Sequence, residues 1–262
     1  MTILDELAEL AKKRVAGAKV RMPLEELKDK VYTLPKKDFA FEKALKKEDM
    51  AFICEVKKAS PSKGMIASDF PYQEIAMEYQ KAGADCISVL TEPYYFKGGY
   101  AFLEDIANQV TIPVLRKDFV VDEYMIYHSA LIGASAVLLI CSLLDTETLR
   151  QYIDVCDSLG LSALVEAHEE QEIQSAVSAG ARVIGVNNRN LKDFTVDINN
   201  CIRLRKYVPD HITFVAESGI KTAEDISKLR QAGVNAVLIG ETLMRAQDKK
   251  AKLNELRTEC IL

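Results

Sequence analysis

Four times along the chain, a helical segment ends in a small residue and a glycine, and a short apolar run follows. These joints are KAGADCISVL from position 81, LIGASAVLLI from 131, SAGARVIGVN from 178 and QAGVNAVLIG from 231. Glycine ends a helix by adopting a left-handed conformation, and continuous apolar runs are typical of strands that are buried on both faces of a parallel sheet. Each joint therefore predicts a helix that leads directly into a buried strand.

Further apolar runs, AFICEV, IPVLRKDF, LSALVEA and ITFVAES, complete a set of eight predicted strands. The strands lie near 52–57, 85–90, 112–117, 135–140, 162–166, 182–187, 212–217 and 235–240. Consecutive strand–helix units with right-handed crossovers close most naturally into a (β/α)8 barrel, a fold of about 250 residues. A doubly wound sheet that binds a dinucleotide would need a GxGxxG turn after its first strand, and the sequence has none there. We therefore predict an α/β fold, the (β/α)8 TIM barrel.

Residues 1–50 precede the first predicted strand and carry two amphipathic helical patterns, at 3–15 and 24–31. A segment this short and this poor in apolar residues does not keep a core of its own. We therefore expect an N-terminal helical extension, 1–50, that packs on a single catalytic barrel domain, 51–262. The extension would cover one end of the barrel, or its apolar stripe would form an oligomer contact. We expect a monomer and leave weak self-association open.

Composition limits the partners and the compartment. A formal charge of −5 over 262 residues argues against nucleic-acid binding, so an anionic ligand must meet local cations. The six cysteines and three histidines lack metal-like spacing, which predicts reduced thiols and no metal site. The N-terminus does not resemble a signal peptide, and no run of about 18 apolar residues predicts a membrane span. We therefore expect a cytoplasmic protein that does not bind membranes.

Polar side chains stand at the carboxyl ends of the predicted strands, where barrels of this kind carry their chemistry. They are Glu55, Lys57, Thr91, Glu92, Lys117, Asp118, Glu166, Asn187, Arg189, Glu217, Ser218, Gly219, Gly240 and Glu241. Alternation along a strand puts Glu55 and Lys57 on one face, and Lys117 and Glu166 each follow an apolar residue of the same face by two positions. If these faces point inward, the charges meet at one mouth, and burial would tune them for acid–base chemistry. A structural ion-pair network is the alternative.

The loops after the strands indicate a ligand with a phosphate and a flat apolar part. ESGI follows the seventh strand and IGETLM the eighth, so backbone amides and a short helix can face an anion at the usual phosphate position of these barrels. Ser60, in the SPSKG loop after the first strand, can add a contact. Phe96 and Phe119 lie on loops after the second and third strands, where they can line the site or anchor the loops on the extension.

In their order along the chain, the motifs KASPSKG, RKDF, NNRNL and ESGI resemble those of the indole-3-glycerol phosphate synthase family. Similar stretches extend from ILDELAELAKKR to NAVLIGETLM. The resemblance implies a carboxy-lyase of tryptophan biosynthesis that needs no cofactor. Its substrate would be an anionic sugar phosphate, 1-(2-carboxyphenylamino)-1-deoxyribulose 5-phosphate, and its products indole-3-glycerol phosphate, CO2 and water. An aldolase-like Schiff-base barrel and a non-catalytic sugar-phosphate-binding barrel are the alternatives.

The resemblance also implies roles for individual residues. Lys117 would be the general acid and Glu166 the general base, with Glu55 as an orienting group. Lys57 would hold a substrate anion and can also donate a proton during dehydration. The implied substrate-binding residues are Ser60, Phe96, Phe119, Leu138, Asn187, Arg189, Leu191 and Glu217. The implied phosphate-binding residues are Ser218, Gly219 and Gly240.

Overall fold

The eight predicted strands all form, and they pair in parallel in a closed ring. The computed structural model describes residues 2–190 and 193–258. In chain order the barrel strands are β1 Ala51–Val56, β2 Cys86–Leu90, β3 Val114–Lys117, β4 Ala136–Ile140, β5 Ser162–Ala167, β6 Val183–Asn187, β7 Thr213–Glu217 and β8 Ala236–Ile239. Each strand pairs with its neighbours in sequence, and β8 pairs with β1 to close the ring. The predicted (β/α)8 barrel is confirmed.

Helices precede the barrel and connect its strands. The extension contains α1 Ile3–Arg21, α2 Leu24–Tyr32 and α3 Ala40–Leu45. The connecting helices are α4 Tyr72–Lys81, α5 Tyr100–Gln109, α6 Glu123–Leu131, α7 Thr146–Leu159, α8 Glu170–Ser178, α9 Asn199–Leu204 and α10 Ala223–Gln231; α11 Glu241–Met244 and α12 Lys249–Arg257 follow β8. The glycines of the four helix–strand joints have φ between 81° and 90°, as helix-ending glycines require. No helix in the described part of the chain is long and apolar enough to cross a membrane.

Alternation along the strands separates two cores. Side chains such as Ile53, Leu115 and Leu164 fill the inside of the barrel. Their neighbours in sequence, such as Phe52 and Val165, pack outward under the helices. Because side chains two positions apart share a face, the charged residues two places after Ile53, Leu115 and Leu164 continue the inner column to the carboxyl end. The barrel therefore brings the strand-end charges to a common mouth.

The extension contacts both ends of the barrel. At the amino end, Phe41 and Leu45 of α3 are fully buried in the interior core. At the carboxyl end, the guanidinium of Arg14 in α1 donates to both carboxylate oxygens of Asp118, at 2.7 and 3.0 Å. Because Asp118 directly follows Lys117, this ion pair fixes α1 beside the end of β3.

Candidate active site

A cavity of about 680 Å³ opens at the carboxyl end of the strands. Every described residue to which the family resemblance assigned a role lines it, whereas Leu191 lies outside the described residues. The lining residues among them are Glu55, Lys57, Ser60, Phe96, Lys117, Phe119, Leu138, Glu166, Asn187, Arg189, Glu217, Ser218, Gly219 and Gly240. The volume is within the range of sites that enclose a small organic ligand.

Lys117 lies among carboxylates at the base of the cavity. Its Nζ donates to Oε2 of Glu166 at 2.8 Å and lies 3.4 Å from Oε2 of Glu217. Burial works to lower the pKa of Lys117, but Glu166, Glu217 and Glu55 together raise it above its ordinary value. The side chain is therefore held as an ammonium ion, the form that can donate a proton.

Glu166 is buried at the end of β5 and is held on both oxygens. While Oε2 accepts from Lys117, Oε1 accepts from Nδ2 of Asn187 at 3.2 Å and lies 3.4 Å from Nε2 of His168. Burial raises the pKa of Glu166, but the charges of Lys117 and His168 and the hydrogen bonds outweigh it and lower the pKa to about 2. Glu166 is therefore an ionised carboxylate that can accept a proton.

Glu217 is as buried as Glu166 but binds its proton more tightly. Its Oε1 has no hydrogen-bond partner among the described residues. Burial raises the pKa of Glu217 to about 7, with Lys117 opposing this shift and Glu166 and Glu55 adding to it. The carboxyl has room because of Gly185 on the neighbouring strand, where a Cβ atom would overlap Oε1 of Glu217. A group that titrates near neutral pH therefore lies beside the charged lysine.

Glu55 and Lys57 form an ion pair on the β1 side of the mouth. The strand ends at Val56, so Lys57 lies just beyond it. Gly240, directly after β8, allows the pair to sit where it does, because a Cβ atom there would overlap Oε1 of Glu55 and lie 2.8 Å from Nζ of Lys57. Gly240 therefore leaves the space that the ion pair occupies. The sequence predicted Gly240 as part of a phosphate-binding turn and did not suggest this role.

The turns after β7 and β8 lie side by side at the edge of the cavity. Ser218 and Gly219 have positive φ values of 67° and 86°, and α11 begins directly after Gly240. Cationic side chains also line the cavity, namely Lys63, Lys221 and Arg245. The carboxylate of Glu241 accepts from Nε of Arg245 at 3.1 Å, so its charge is partly neutralised. Backbone amides and cations can together receive an anion here.

Apolar residues form another part of the cavity lining. The rings of Phe96 and Phe119 have centroids 6.1 Å apart, and Leu138 lies with them in the cavity lining. Three apolar residues of the extension, Ile3, Leu4 and Leu7, add to the lining. These three residues were not among the predicted site residues, although their spacing on an amphipathic helix marks one apolar face.

Three of the polar residues at the strand ends, Thr91, Glu92 and Asp118, use their polar groups in hydrogen bonds within the protein. These groups are therefore not free to bind a ligand. The carboxylate of Glu92 accepts backbone N–H groups of Tyr94, Tyr95 and Phe96. Asp118 is bound by arginines and by the hydroxyl of Thr91, which donates to it at 2.7 Å. These polar groups fix the loops that carry the site.

His168 is a neighbour of the site that the sequence analysis left without a role. It directly follows β5, and its ring lies between Glu166 and Glu172. The signal that could have found it is the spacing of four residues between His168 and Glu172, which brings side chains together at the start of a helix.

The chain is similar over nearly its whole length to proteins of one family. The family model described as indole-3-glycerol phosphate synthase matches residues 4–256. The indole-3-glycerol phosphate synthase of Ruminiclostridium cellulolyticum is 58% identical over 256 residues, which are 97% of this chain and 98% of that protein. The synthase of Endomicrobium trichonymphae is 52% identical over 256 residues, 97% of this chain and 99% of that protein.

Solved structures share the fold at much lower identity. The 3-hexulose-6-phosphate synthase from Salmonella typhimurium has a TM-score of 0.66 and 15% identity, over 81% of this chain and 99% of its own. The thiamine phosphate pyrophosphorylase from Pyrococcus furiosus has a TM-score of 0.62 and 15% identity, over 84% of this chain and 97% of its own. These two likenesses show the fold alone. The family model and the full-length relatives show that the chain belongs to the indole-3-glycerol phosphate synthase family.

Proposed function

We propose that the protein closes and decarboxylates 1-(2-carboxyphenylamino)-1-deoxyribulose 5-phosphate, giving indole-3-glycerol phosphate, CO2 and water in tryptophan biosynthesis. One observation carries the proposal beyond family membership. A partly buried ammonium ion, Lys117, is hydrogen-bonded to a buried, ionised carboxylate, Glu166, inside a cavity that is also lined by apolar residues and by the cations Lys63, Lys221 and Arg245. An acid and a base in contact are what a ring closure followed by dehydration requires.

Each part of this substrate has a matching part of the cavity. The phosphate binds at Ser218, Gly219 and Gly240, which line the cavity together with Arg245 and Lys63, because backbone amides of such turns and nearby cations can bind an anion. The aromatic ring lies against the apolar residues Phe96, Phe119 and Leu138. The carboxylate and the hydroxyl groups contact the polar side chains, Lys57, Ser60, Asn187, Arg189 and Glu217.

Ring closure needs an acid at the ketone. As the aryl carbon that bears the carboxylate attacks the carbonyl carbon, negative charge develops on the carbonyl oxygen, and Lys117 donates its proton there. A carbon–carbon bond forms, and the bond to the carboxylate then breaks to release CO2 and restore the aromatic ring. Glu55 is near enough to Lys117 to raise its pKa, and it orients the lysines electrostatically.

Dehydration needs an acid and a base at once. Glu166 takes a proton from the ring carbon next to the nitrogen while the hydroxyl on the adjacent carbon is protonated and leaves as water. Lys117 and Lys57 are both candidates for this second proton donation, because both ammonium groups line the cavity. The two steps together form the indole ring.

The charge state of Lys117 argues against the Schiff-base alternative. A lysine that attacks a carbonyl must be neutral, whereas the surrounding carboxylates raise the pKa of Lys117. Borohydride trapping with a keto-sugar phosphate separates the two chemistries, and we expect no covalent adduct on Lys117. A trapped adduct would support the aldolase-like reaction.

The experiment that tests the proposed function is turnover of the substrate by the purified protein. Product formation is followed by indole fluorescence, and CO2 release is measured in parallel. We expect the two to appear in a ratio of one to one. A folded protein that produces neither contradicts the proposal, and tight substrate binding without product would favour a non-catalytic binding barrel.

We infer further that the protein works in the cytoplasm as a monomer. Its described cysteines, residues 54, 86, 141, 156 and 201, are free thiols, which is usual in a reducing compartment. The described lining of the cavity comes from a single chain, so we expect activity without a partner subunit. Sedimentation at micromolar concentrations tests this, and a stable dimer would contradict it.

A further inference from the structure

A histidine lies between the carboxylate of Glu166 and a second carboxylate outside the cavity. His168 follows the last residue of β5, and its Nε2 lies 3.4 Å from Oε1 of Glu166. Its Nδ1 lies 3.3 Å from Oε2 of Glu172, in the first turn of α8. Neither His168 nor Glu172 lines the cavity, so the histidine contacts Glu166 from the side away from the cavity.

The histidine is held in place from two sides. Oε2 of Glu172 also accepts the backbone N–H of His168, at 2.6 Å. On the opposite side, Nδ2 of Asn200 donates to the backbone carbonyl of His168 at 3.3 Å. The side chains of His168 and Glu172 are only 19% and 17% exposed. The ring is therefore fixed with one nitrogen toward each carboxylate.

This placement selects the protonated ring. A neutral imidazole has one donor and one acceptor, whereas an imidazolium has two donors. Both neighbours are carboxylates, which only accept, so loss of either ring proton would turn a lone pair toward a negative charge. Nε2 makes no hydrogen bond within the described structure, which leaves Oε1 of Glu166 as the acceptor it faces.

The other groups around the ring do not reverse this preference. Glu217 adds a further acidic group near the ring, Lys117 is paired with Glu166 and Glu217, and Cys141 has a pKa raised by burial to about 12 and stays neutral. Burial lowers the pKa of His168, but the hydrogen bond to Glu172 and the charges of Glu166, Glu172 and Glu217 raise it above its ordinary value.

We propose that His168 is a positioning residue for the reaction: clamped by Glu172, its protonated ring holds Oε1 of Glu166 and keeps that carboxylate ionised and aimed into the cavity. The inference rests on the proposed role of Glu166 as the base. Glu166 needs a second positive neighbour because Lys117 must give up its hydrogen bond and its proton to the substrate. At that moment, among the described residues, His168 is the positive charge that stays beside Glu166 and Asn187 is the neutral donor that stays bonded to it.

The test compares the pH dependence of kcat/KM for the wild type, His168→Asn and Glu172→Gln. Asparagine keeps a side-chain donor but removes the charge. Because Glu166 then loses a neighbouring cation, its pKa rises, and the acid limb of the profile should move to higher pH. We expect kcat to fall roughly tenfold or more, because a carboxylate that loses this neighbouring charge is less well held in its productive orientation, with KM little changed. Glu172→Gln should move the limb in the same direction by a smaller amount.

Two controls separate positioning from a general effect of charge or folding. Glu169→Gln removes a charge next to His168 in sequence, at a residue that is exposed and caps α8 without a side-chain bond, and it should leave the profile unchanged. In a Glu166→Gln background, His168→Asn should have almost no further effect on kcat. If the asparagine variant does not fold, His168→Gln takes its place.

The outcomes distinguish this inference from the proposed function. An acid limb that does not move in a folded His168 variant overturns the positioning role, even when the wild type turns over and Glu166→Gln does not. A further loss in the Glu166→Gln background equal to that in the wild type overturns it as well. A wild type without turnover, or a fully active Glu166→Gln variant, overturns the proposed function instead.

Discussion

The Nζ of Lys117 lies 3.4 Å from Oε2 of Glu217, a carboxyl group that is only 2% exposed. The same lysine donates to Glu166 at 2.8 Å. Burial raises the pKa of Glu217 to about 7, whereas the charges around Glu166, despite its burial, lower its pKa to about 2. Two glutamates on one lysine therefore differ in their affinity for a proton, as acid and base partners in active sites do.

We expect Glu217→Gln to change the way stability depends on pH. An acid whose pKa is higher in the folded protein than in the unfolded chain favours folding fully below the unfolded value, here 4.5, and loses that contribution as the pH rises through about 7. Relative to the variant, the wild type should therefore lose roughly 3 kcal/mol of unfolding free energy between pH 4.5 and pH 8. Urea unfolding of both proteins measures this. A difference that stays constant over that range would contradict the raised pKa.

We expect Gly240→Ala to disturb the Glu55–Lys57 ion pair with little effect on stability. The φ of Gly240 is −111°, so alanine causes no left-handed strain, but its methyl group would push against both charged side chains. Displacing catalytic groups by a fraction of an ångström or more should lower kcat/KM about 10- to 100-fold.

The matched control is Gly99→Ala, on the loop before α5. There the nearest atoms that a Cβ atom would meet are those of the Phe102 ring, at 3.8 Å, an ordinary van der Waals distance, so activity should stay within about twofold of the wild type. Steady-state kinetics and thermal unfolding of both variants make the comparison. Full activity in Gly240→Ala would show that the ion pair does not depend on the space at this glycine.

We expect Arg182→Met to destabilise the amino end of the barrel without affecting catalysis. The guanidinium binds Glu42 of α3 and Asp157 of α7, in both cases through two nitrogens. Glu42 is 5% exposed, so its carboxylate would be left buried and unpaired. Breaking a buried pair costs about 3–5 kcal/mol, and because Arg182 is itself partly exposed, we expect roughly 2 kcal/mol.

Arg150→Met is the comparison, because Arg150 pairs with Glu147 where the two side chains are 45% and 66% exposed. That variant should lose less than about 1 kcal/mol. The double variant Glu42→Gln, Arg182→Met should recover part of the loss. Chemical denaturation gives the free energy of unfolding of all three variants. Equal losses in Arg182→Met and Arg150→Met would contradict a buried role for Glu42.

The sequence predicts the barrel and the inward charges well because both depend on local spacing. An inward Ile53 or Leu115 places the residue two positions later on the same face, so Glu55 and Lys117 follow once eight strands are recognised. The predicted strand positions agree with those in the structure because the short apolar runs after the glycine-ended helices leave few possible positions for each strand.

The remainder of the site depends on contacts between residues far apart in sequence. The space that Gly185 leaves for Glu217 depends on how β6 pairs with β7. A carboxylate at a strand end can equally bind the amides of its own loop, as Glu92 does. For these residues, spacing gives the face of the strand but not the partner.

The most direct test of the central claim, that Lys117 is the proton donor for ring closure, is single-turnover formation of indole-3-glycerol phosphate by Lys117→Met. Methionine keeps much of the length and apolar body of lysine but has no proton to donate. The matched control is Lys58→Met, next to Lys57 but with its ammonium group over the ring of Phe70, and it should keep its activity. We predict that folded Lys117→Met still binds substrate and forms product about 1,000-fold more slowly. A folded Lys117→Met that forms product within tenfold of the wild-type rate would contradict the claim.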